Sequence, residues 1–274
     1  MPTQVKALIT VNEPIGPGFF EMELVAPAIA AAGKAGQFVH VKAGALIDPL
    51  LRRPISIYDI DSFSGRIKLL YKVVGKGTNI IAGLHPSDTI DVIGPLGKGF
   101  TLPEHPSKAV LVGGGIGAAP LLYLARLLLS KGSTVIFYYG ADNKRQLVAT
   151  NSFQKIGAEV KTSTRDGSQG YHGLITDYML ETLSPTSIDF IYTCGPEMMM
   201  AQVAVFAQKH NISGEVSLEE YMACGVGACL GCARQLKSTD NNYAKICKDG
   251  PVFSIADLEF PLQALPEKGG VACG

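Results

Sequence analysis

Glu219-Glu220-Tyr221-Met222-Ala223-Cys224-Gly225-Val226-Gly227-Ala228-Cys229-Leu230-Gly231-Cys232 carries more chemistry than any other stretch of the chain. Three cysteines fall within nine residues in the spacing C-x4-C-x2-C, and Cys247 follows after fourteen more. That spacing suits a plant-type [2Fe-2S] cluster held by four thiolates. Gly225, Gly227 and Gly231 lie between these candidate ligands, where the chain must curl. Lacking a Cβ, they can take φ > 0 and turn backbone N–H groups toward the sulfurs. A structural zinc site usually shows two separate C-x2-4-C pairs. Here three cysteines crowd one loop and the fourth is remote. The spacing therefore favours Cys224, Cys229, Cys232 and Cys247 as iron ligands over zinc ligands or unligated thiols.

The 274-residue chain has room for about two domains with a small third. Hydrophobic residues make up 47%, enough for real cores. The 24 basic and 24 acidic residues cancel, which gives no footing for a nucleic-acid surface. The start lacks the charged-then-apolar pattern of a signal peptide. The longest uncharged run, 109–125, holds four glycines and Pro120 and falls short of the ~20 apolar residues of a spanning helix. With four of six cysteines given to a cluster, no disulfide framework is expected, and a cytoplasmic location fits.

Going outward from the cysteines, 1–103 reads as short strands with turn punctuation, with one helical piece near 78–84. That is an antiparallel β-barrel. From 104 to 212 strands alternate with helices, the pattern of a doubly wound parallel sheet. The cysteine module occupies 213–274. The expected architecture is multidomain β plus α/β.

Four motifs punctuate this order. Arg53-Pro54-Ile55-Ser56 offers a guanidinium fork suited to a diphosphate and a nearby hydroxyl. Alone it is equally an exposed arginine ahead of a strand. Leu70-Tyr71-Lys72 precedes Gly75-Lys76-Gly77-Thr78, where glycines open onto a short helix that could receive an anion; Thr78 is also a plain N-cap candidate. Gly94-Pro95-Leu96-Gly97 reads as the barrel's exit turn. Gly113-Gly114-Gly115-Ile116-Gly117-Ala118-Ala119-Pro120 follows a strand and opens a helix, the context a dinucleotide pyrophosphate needs. Cys194-Gly195-Pro196 ends a later strand at the edge where open α/β sheets bind ligands; a buried structural cysteine is the plainer reading. Asp142 could accept from a ribose 2′-OH and favour NAD, whereas nearby Arg145 argues for a 2′-phosphate. No P-loop, H-E-x-x-H or G-x-S-x-G is present, and the five histidines form no ligand spacing.

Arg-Pro-x-Ser, Gly-x-Gly-Thr, Gly-Gly-Gly-Ile-Gly-x-Ala-Pro and Cys-Gly-Pro, in this order, resemble the ferredoxin reductase superfamily. The segment 217–232, with Asp48-Pro-Leu-Leu-Arg-Arg-Pro-Ile-Ser56 and Cys247-Lys-Asp-Gly-Pro-Val-Phe253, resembles electron-transfer subunits of NAD-linked type B dihydroorotate dehydrogenase over essentially the whole chain. The resemblance implies FAD held by Arg53, Pro54, Ile55, Ser56, Leu70, Tyr71, Lys72, Gly77 and Thr78. It implies NAD on Gly113, Gly114, Gly115 and Gly117 beside Cys194, and the four cysteines on the cluster. An aromatic residue commonly stands at the position of Ile55 in the wider superfamily. An FMN-containing catalytic subunit is the implied partner, in a 2:2 heterotetramer. It would feed electrons through the cluster and FAD to NAD⁺ with no general acid or base supplied by this chain. The alternatives are a freestanding NAD(P)H reductase and a zinc-bearing nucleotide sensor. The tail after Lys268, with Cys273, carries no motif and is expected to fray.

Overall fold

The computed structural model describes residues 2–44, 48–237 and 243–260, so the tail with Cys273 lies outside the described residues. Six strands form a closed barrel: Thr3–Gly16 (β1), Phe19–Val25 (β2), Phe38–Val41 (β3), Arg53–Asp61 (β4), Arg66–Lys72 (β5) and Thr89–Leu96 (β6), ordered β1-β2-β5-β4-β3-β6. Neighbouring strands all pair antiparallel. Period-2 alternation sends Met22, Leu24, Ile55, Ile57, Ile67 and Leu69 inward, where they are buried. Closure leaves no unpaired edge. A six-residue helix, Pro27–Ala32 (α1), was not foreseen; its Pro27 sits in the first turn, where a missing N–H costs nothing. Lys76–Ala82 (α2) starts two residues before the expected helix.

The second layer is built from Lys108–Gly114 (β7), Ala119–Ser130 (α3), Thr134–Ala141 (β8), Thr150–Lys155 (α4), Glu159–Thr164 (β9), Tyr171–His172 (β10), Ile175–Thr182 (α5), Phe190–Cys194 (β11), Glu197–Lys209 (α6) and Ser213–Ser217 (β12). Past the cysteine loop come a small hairpin, Ala233–Gln235 (β13) and Tyr243–Lys245 (β14), and then Val252–Ser254 (β15). The sheet order is β10-β9-β8-β7-β11-β12-β15, parallel except for β15 against β12. The chain steps outward from β7 to β8 and β9, then returns to the other side of β7 as β11. That reversal opens a crevice at the strands' carboxyl ends. The two strands β12 and β15, from either side of the cysteine loop, extend this same sheet.

Specific contacts lock barrel and sheet together. Arg126 on α3 pairs with Asp59 of β4 at 2.7 Å. Tyr192 of β11 donates its hydroxyl to the Thr101 carbonyl at 2.7 Å, and the Thr101 N–H donates to Glu215 of β12 at 2.8 Å. At the barrel exit Gly97 has φ +77°, and a Cβ there would lie 2.5 Å from Pro251 Cδ. The exit turn is therefore structural: it seats the cysteine segment against the barrel, with the Lys98 N–H donating to the Gly250 carbonyl.

Candidate functional site

The loop after β12 wraps its thiols in backbone N–H groups. Cys224 Sγ accepts from Ala228 N at 3.3 Å and Cys229 N at 3.4 Å. Cys247 Sγ accepts from Gly227 N at 3.1 Å, Cys229 Sγ from Gly231 N at 3.4 Å, and Cys232 Sγ from Cys247 N at 3.4 Å. Burial opposes ionisation of Cys224, but the N–H groups of Val226, Cys229 and Ala228 overcome it and bring this thiol down to about 6. Burial and the adjoining Cys232 thiol instead push Cys247 up to about 12. Such a donor set is made for negatively charged sulfur.

The thiols fall in two pairs. Cys232 and Cys247 are buried, whereas Cys224 is half-buried and Cys229 exposed. Among the described residues no three His, Cys, Asp or Glu side chains stand close enough together to hold a metal ion. A [2Fe-2S] cluster takes four thiolates, and the four cysteines whose sulfurs accept these N–H groups fit that group by their donor chemistry. Gly225 (φ +69°) and Gly227 (φ +83°) have the left-handed backbone expected of them. Gly231 does not; Leu230 takes that conformation instead, at φ +61°.

On the barrel side the loop meets His40 of β3, which is fully buried. Burial, followed by the Arg52 and Arg53 guanidinia, holds its pKa at about 4, so the ring is neutral. The Cys224 and Arg52 backbones oppose this shift. Neither ring nitrogen has a partner in hydrogen-bond geometry.

The second site lies on the barrel surface. Along β4, Arg53, Pro54 and Ser56 reach outward while Ile55 packs into the barrel core. Leu70 and Tyr71 are likewise buried, and the Tyr71 hydroxyl donates to Asn12 Oδ1 at 2.8 Å. Buried side chains leave Ile55, Leu70 and Tyr71 only their backbones to offer this face. Lys72 remains exposed. Arg53 lies against α2: a Cβ on Gly77 would sit 2.3 Å from its Nε. The Thr78 hydroxyl is occupied locally, accepting from Val74 N at 2.9 Å and Gly75 N at 3.2 Å. An outward arginine fork above a Cβ-less helix start fits a diphosphate.

The third site is a cleft of about 690 Å³ at the carboxyl ends of β7, β8, β9 and β11. Gly114, Gly115 and Ile116 line it, with Gly140, Asp142, Ser163 and Arg165 on one side and Gly195 and Pro196 on the other. Phe19 and Lys72 bring the barrel to its rim. Gly113 and Gly117 do not reach it. A Cβ on Gly117 would come within 2.3 Å of the Cys194 carbonyl, and one on Gly113 within 2.9 Å of Phe137. Gly117 lets the β7–α3 and β11–α6 turns touch, and Gly113 leaves room for the Phe137 ring of β8. Cys194 lies beneath the cleft; burial, with Glu219 nearby, pushes its thiol well up.

Several cleft residues were given no role by the sequence motifs. Glu219 stands in the cleft, open to it yet enclosed by protein, and burial raises its carboxyl. Arg165, not Arg145, faces Asp142, at 3.6 Å. Arg165 lies past β9, with no motif to announce it, and only the fold brings it to the end of β8. The Ser163 hydroxyl is buried without a partner.

Comparison with known proteins bears on all three sites. Residues 219–259 match the iron–sulfur cluster binding domain of dihydroorotate dehydrogenase B, and 111–204 match an oxidoreductase NAD-binding domain. An electron transfer subunit of dihydroorotate dehydrogenase B (NAD(+)) from Desulforamulus reducens is 42% identical over 87% of this chain and 92% of its own. Its namesake from Geobacillus kaustophilus is 41% identical over the same shares. Among solved structures, an NADH-dependent reduced ferredoxin–NADP oxidoreductase, studied for flavin-based electron bifurcation, superposes with TM-score 0.81 and 28% identity, covering 93% of this chain and 90% of that one. The barrel, the nucleotide cleft and the paired thiols thus belong to an oxidoreductase component, and the chain is a member of the family of electron transfer subunits of NAD-linked dihydroorotate dehydrogenase B.

Proposed function

We propose that this chain passes electrons from an FMN-containing dihydroorotate-oxidising subunit, through a [2Fe-2S] cluster and FAD, to NAD⁺, and so serves pyrimidine synthesis in the cytoplasm. The observation that carries this is the arrangement of two thiol pairs under loop N–H groups, one pair buried toward the barrel and sheet and one near the surface. The cluster supplies one-electron and FAD two-electron chemistry, which the protein orients and tunes.

The residues divide the work as follows. Cys224, Cys229, Cys232 and Cys247 hold the cluster. Arg53 takes the FAD diphosphate beside Gly77, Pro54 and Ser56 present the flavin face, and the backbones of Ile55, Leu70 and Tyr71 supply hydrogen-bonding groups there. Lys72 lies at the junction with the cleft. Gly114 and Gly115 cradle the NAD pyrophosphate while Gly113, Gly117 and Cys194 hold the surrounding turns. Asp142 accepts from the adenosine ribose. Residues 1–103, 104–212 and 213–274 act as FAD, NAD and cluster units, the last contributing β12 and β15 to the sheet of the second. Among the described residues no helix is long and apolar enough to cross a membrane. Tyr221, Leu230 and Val226 expose apolar surface around the outer thiols. The partner docks there, in a 2:2 assembly.

The likeness to the reduced ferredoxin–NADP oxidoreductase favours one second reading, a reductase component serving a ferredoxin or bifurcating partner. The deciding experiment mixes the holo chain with the dihydroorotate-oxidising subunit and follows NADH and orotate together. Equimolar formation of both is expected. NADH-driven dye reduction without any orotate-coupled NADH, in a verified complex, would favour the second reading.

A further inference from the structure

Arg234 ties together three separate segments of the chain. It lies in β13, two residues past the buried Cys232, and faces Ala244 of β14, the strand that runs on to Cys247. Its side chain is only 19% exposed and reaches two carboxylates with different nitrogens. Nη2 pairs with Glu197, and Nη1 donates to Glu220 Oε1 at 3.2 Å. Glu197 opens α6 directly after Pro196, and Glu220 directly follows Glu219. Pro196, Met198 and Glu219 all line the nucleotide cleft. Each carboxylate is thus the sequence neighbour of a cleft residue, one on the β11–α6 turn and one on the segment leaving β12. The turn itself has little slack. Gly195 has φ +146°, and a Cβ there would lie 2.9 Å from Gly114 N, so any shift of this turn is a shift against the glycine loop. A guanidinium suits the task, because its rigid fork holds two carboxylates in fixed geometry where an ammonium is a single point charge.

We propose that Arg234 is a positioning residue for the nucleotide: it braces the start of α6 against the segment carrying Glu219 and so fixes the cleft wall that NAD meets. The hairpin between Cys232 and Cys247 is then part of the frame of the nucleotide site. The inference rests on the NAD reading of the cleft.

The test uses the full chain, with iron, sulfide and FAD quantified in every sample. Calorimetric titration of the oxidised chain with NAD⁺ should show Arg234→Leu binding about tenfold more weakly. With NADH and ferricyanide its KM should rise by a like factor while kcat stays within about twofold, the mark of lost binding and not of lost chemistry. Arg234→Lys keeps the charge without the fork and should recover only part of the affinity. Glu197→Gln, at a half-exposed position, should weaken NAD⁺ binding by about threefold, and this holds the test even where Arg234→Leu fails to load iron. Combined with Arg234→Leu it should add nothing further, since both act through one contact. Parental NAD⁺ affinity in cofactor-replete Arg234→Leu or in Glu197→Gln would overturn the proposal. So would full recovery in Arg234→Lys, or in the Arg234→Leu/Glu197→Gln/Glu220→Gln variant, because charge cancellation and not position would then explain the loss. An unsubstituted chain that binds neither NAD⁺ nor NADH would sink the NAD reading itself, and the inference with it.

Discussion

Two glycine-rich loops sit on the same sheet, and only one of them needs glycine mainly for its backbone handedness. In the cluster loop Gly225 and Gly227 turn the backbone left-handed so that N–H groups face sulfur. In the nucleotide loop Gly113 and Gly117 have no positive φ; they are glycine because Phe137 and the Cys194 carbonyl stand where a Cβ would be. Gly115, at φ +55°, shares the left-handed backbone of the cluster-loop glycines but has open space beside it. Similar composition therefore hides different constraints: handedness together with crowding by His40 and Lys248 in the cluster loop, and clearance without any positive φ at Gly113 and Gly117.

Substitutions can break or sharpen this contrast, and their effects should descend in size. Cys232→Ser removes a buried ligand and should abolish cluster loading while FAD stays bound, read as lost iron and sulfide with an intact flavin spectrum. Gly117→Ala forces a Cβ onto a backbone carbonyl that has little room to move. A loss of about 3 kcal/mol, the upper end for overpacking, is expected in denaturant melts, along with weakened NADH binding. Gly225→Ala meets left-handed strain of about 1–2 kcal/mol and also the His40 ring, so iron content should fall and the cluster's EPR line shape should change. Gly115→Ala has strain but no neighbour; about 1 kcal/mol should appear mainly as a raised KM for NADH. Gly231→Ala has neither positive φ nor a contact closer than 3.5 Å to Cys229 Sγ. It should stay within about 0.5 kcal/mol of the parent with full cluster loading. If Gly231→Ala instead empties the cluster and Gly225→Ala does not, the distinction between the two glycines is wrong.

Most of the architecture was legible because it is written in local chemistry. Period-2 runs mark β1 to β6, a strand–glycine–helix pattern marks β7 to α3, and the C-x4-C-x2-C spacing marks the thiol loop. What was not legible depends on contacts between distant segments. The sequence cannot show that β12 and β15 join one sheet from either side of the cysteines, since pairing between strands so far apart along the chain is set by the fold. It likewise gave no sign of His40 under Gly225, Arg165 against Asp142, or Glu219 in the cleft. Ile55, Leu70 and Tyr71 carry the motif, yet strand alternation and the interface with α3 turn their side chains inward. Motif position located the site, but side-chain direction needed the three-dimensional structure.

The most direct test of the account is an anaerobic visible and EPR spectrum of the purified chain before and after NADH, with iron, sulfide and released flavin quantified. The account predicts about two irons and two sulfides per chain, one FAD, bleaching of the flavin by NADH, and an EPR signal from the reduced cluster. Folded protein that holds neither flavin nor iron, before and after reconstitution, would contradict it.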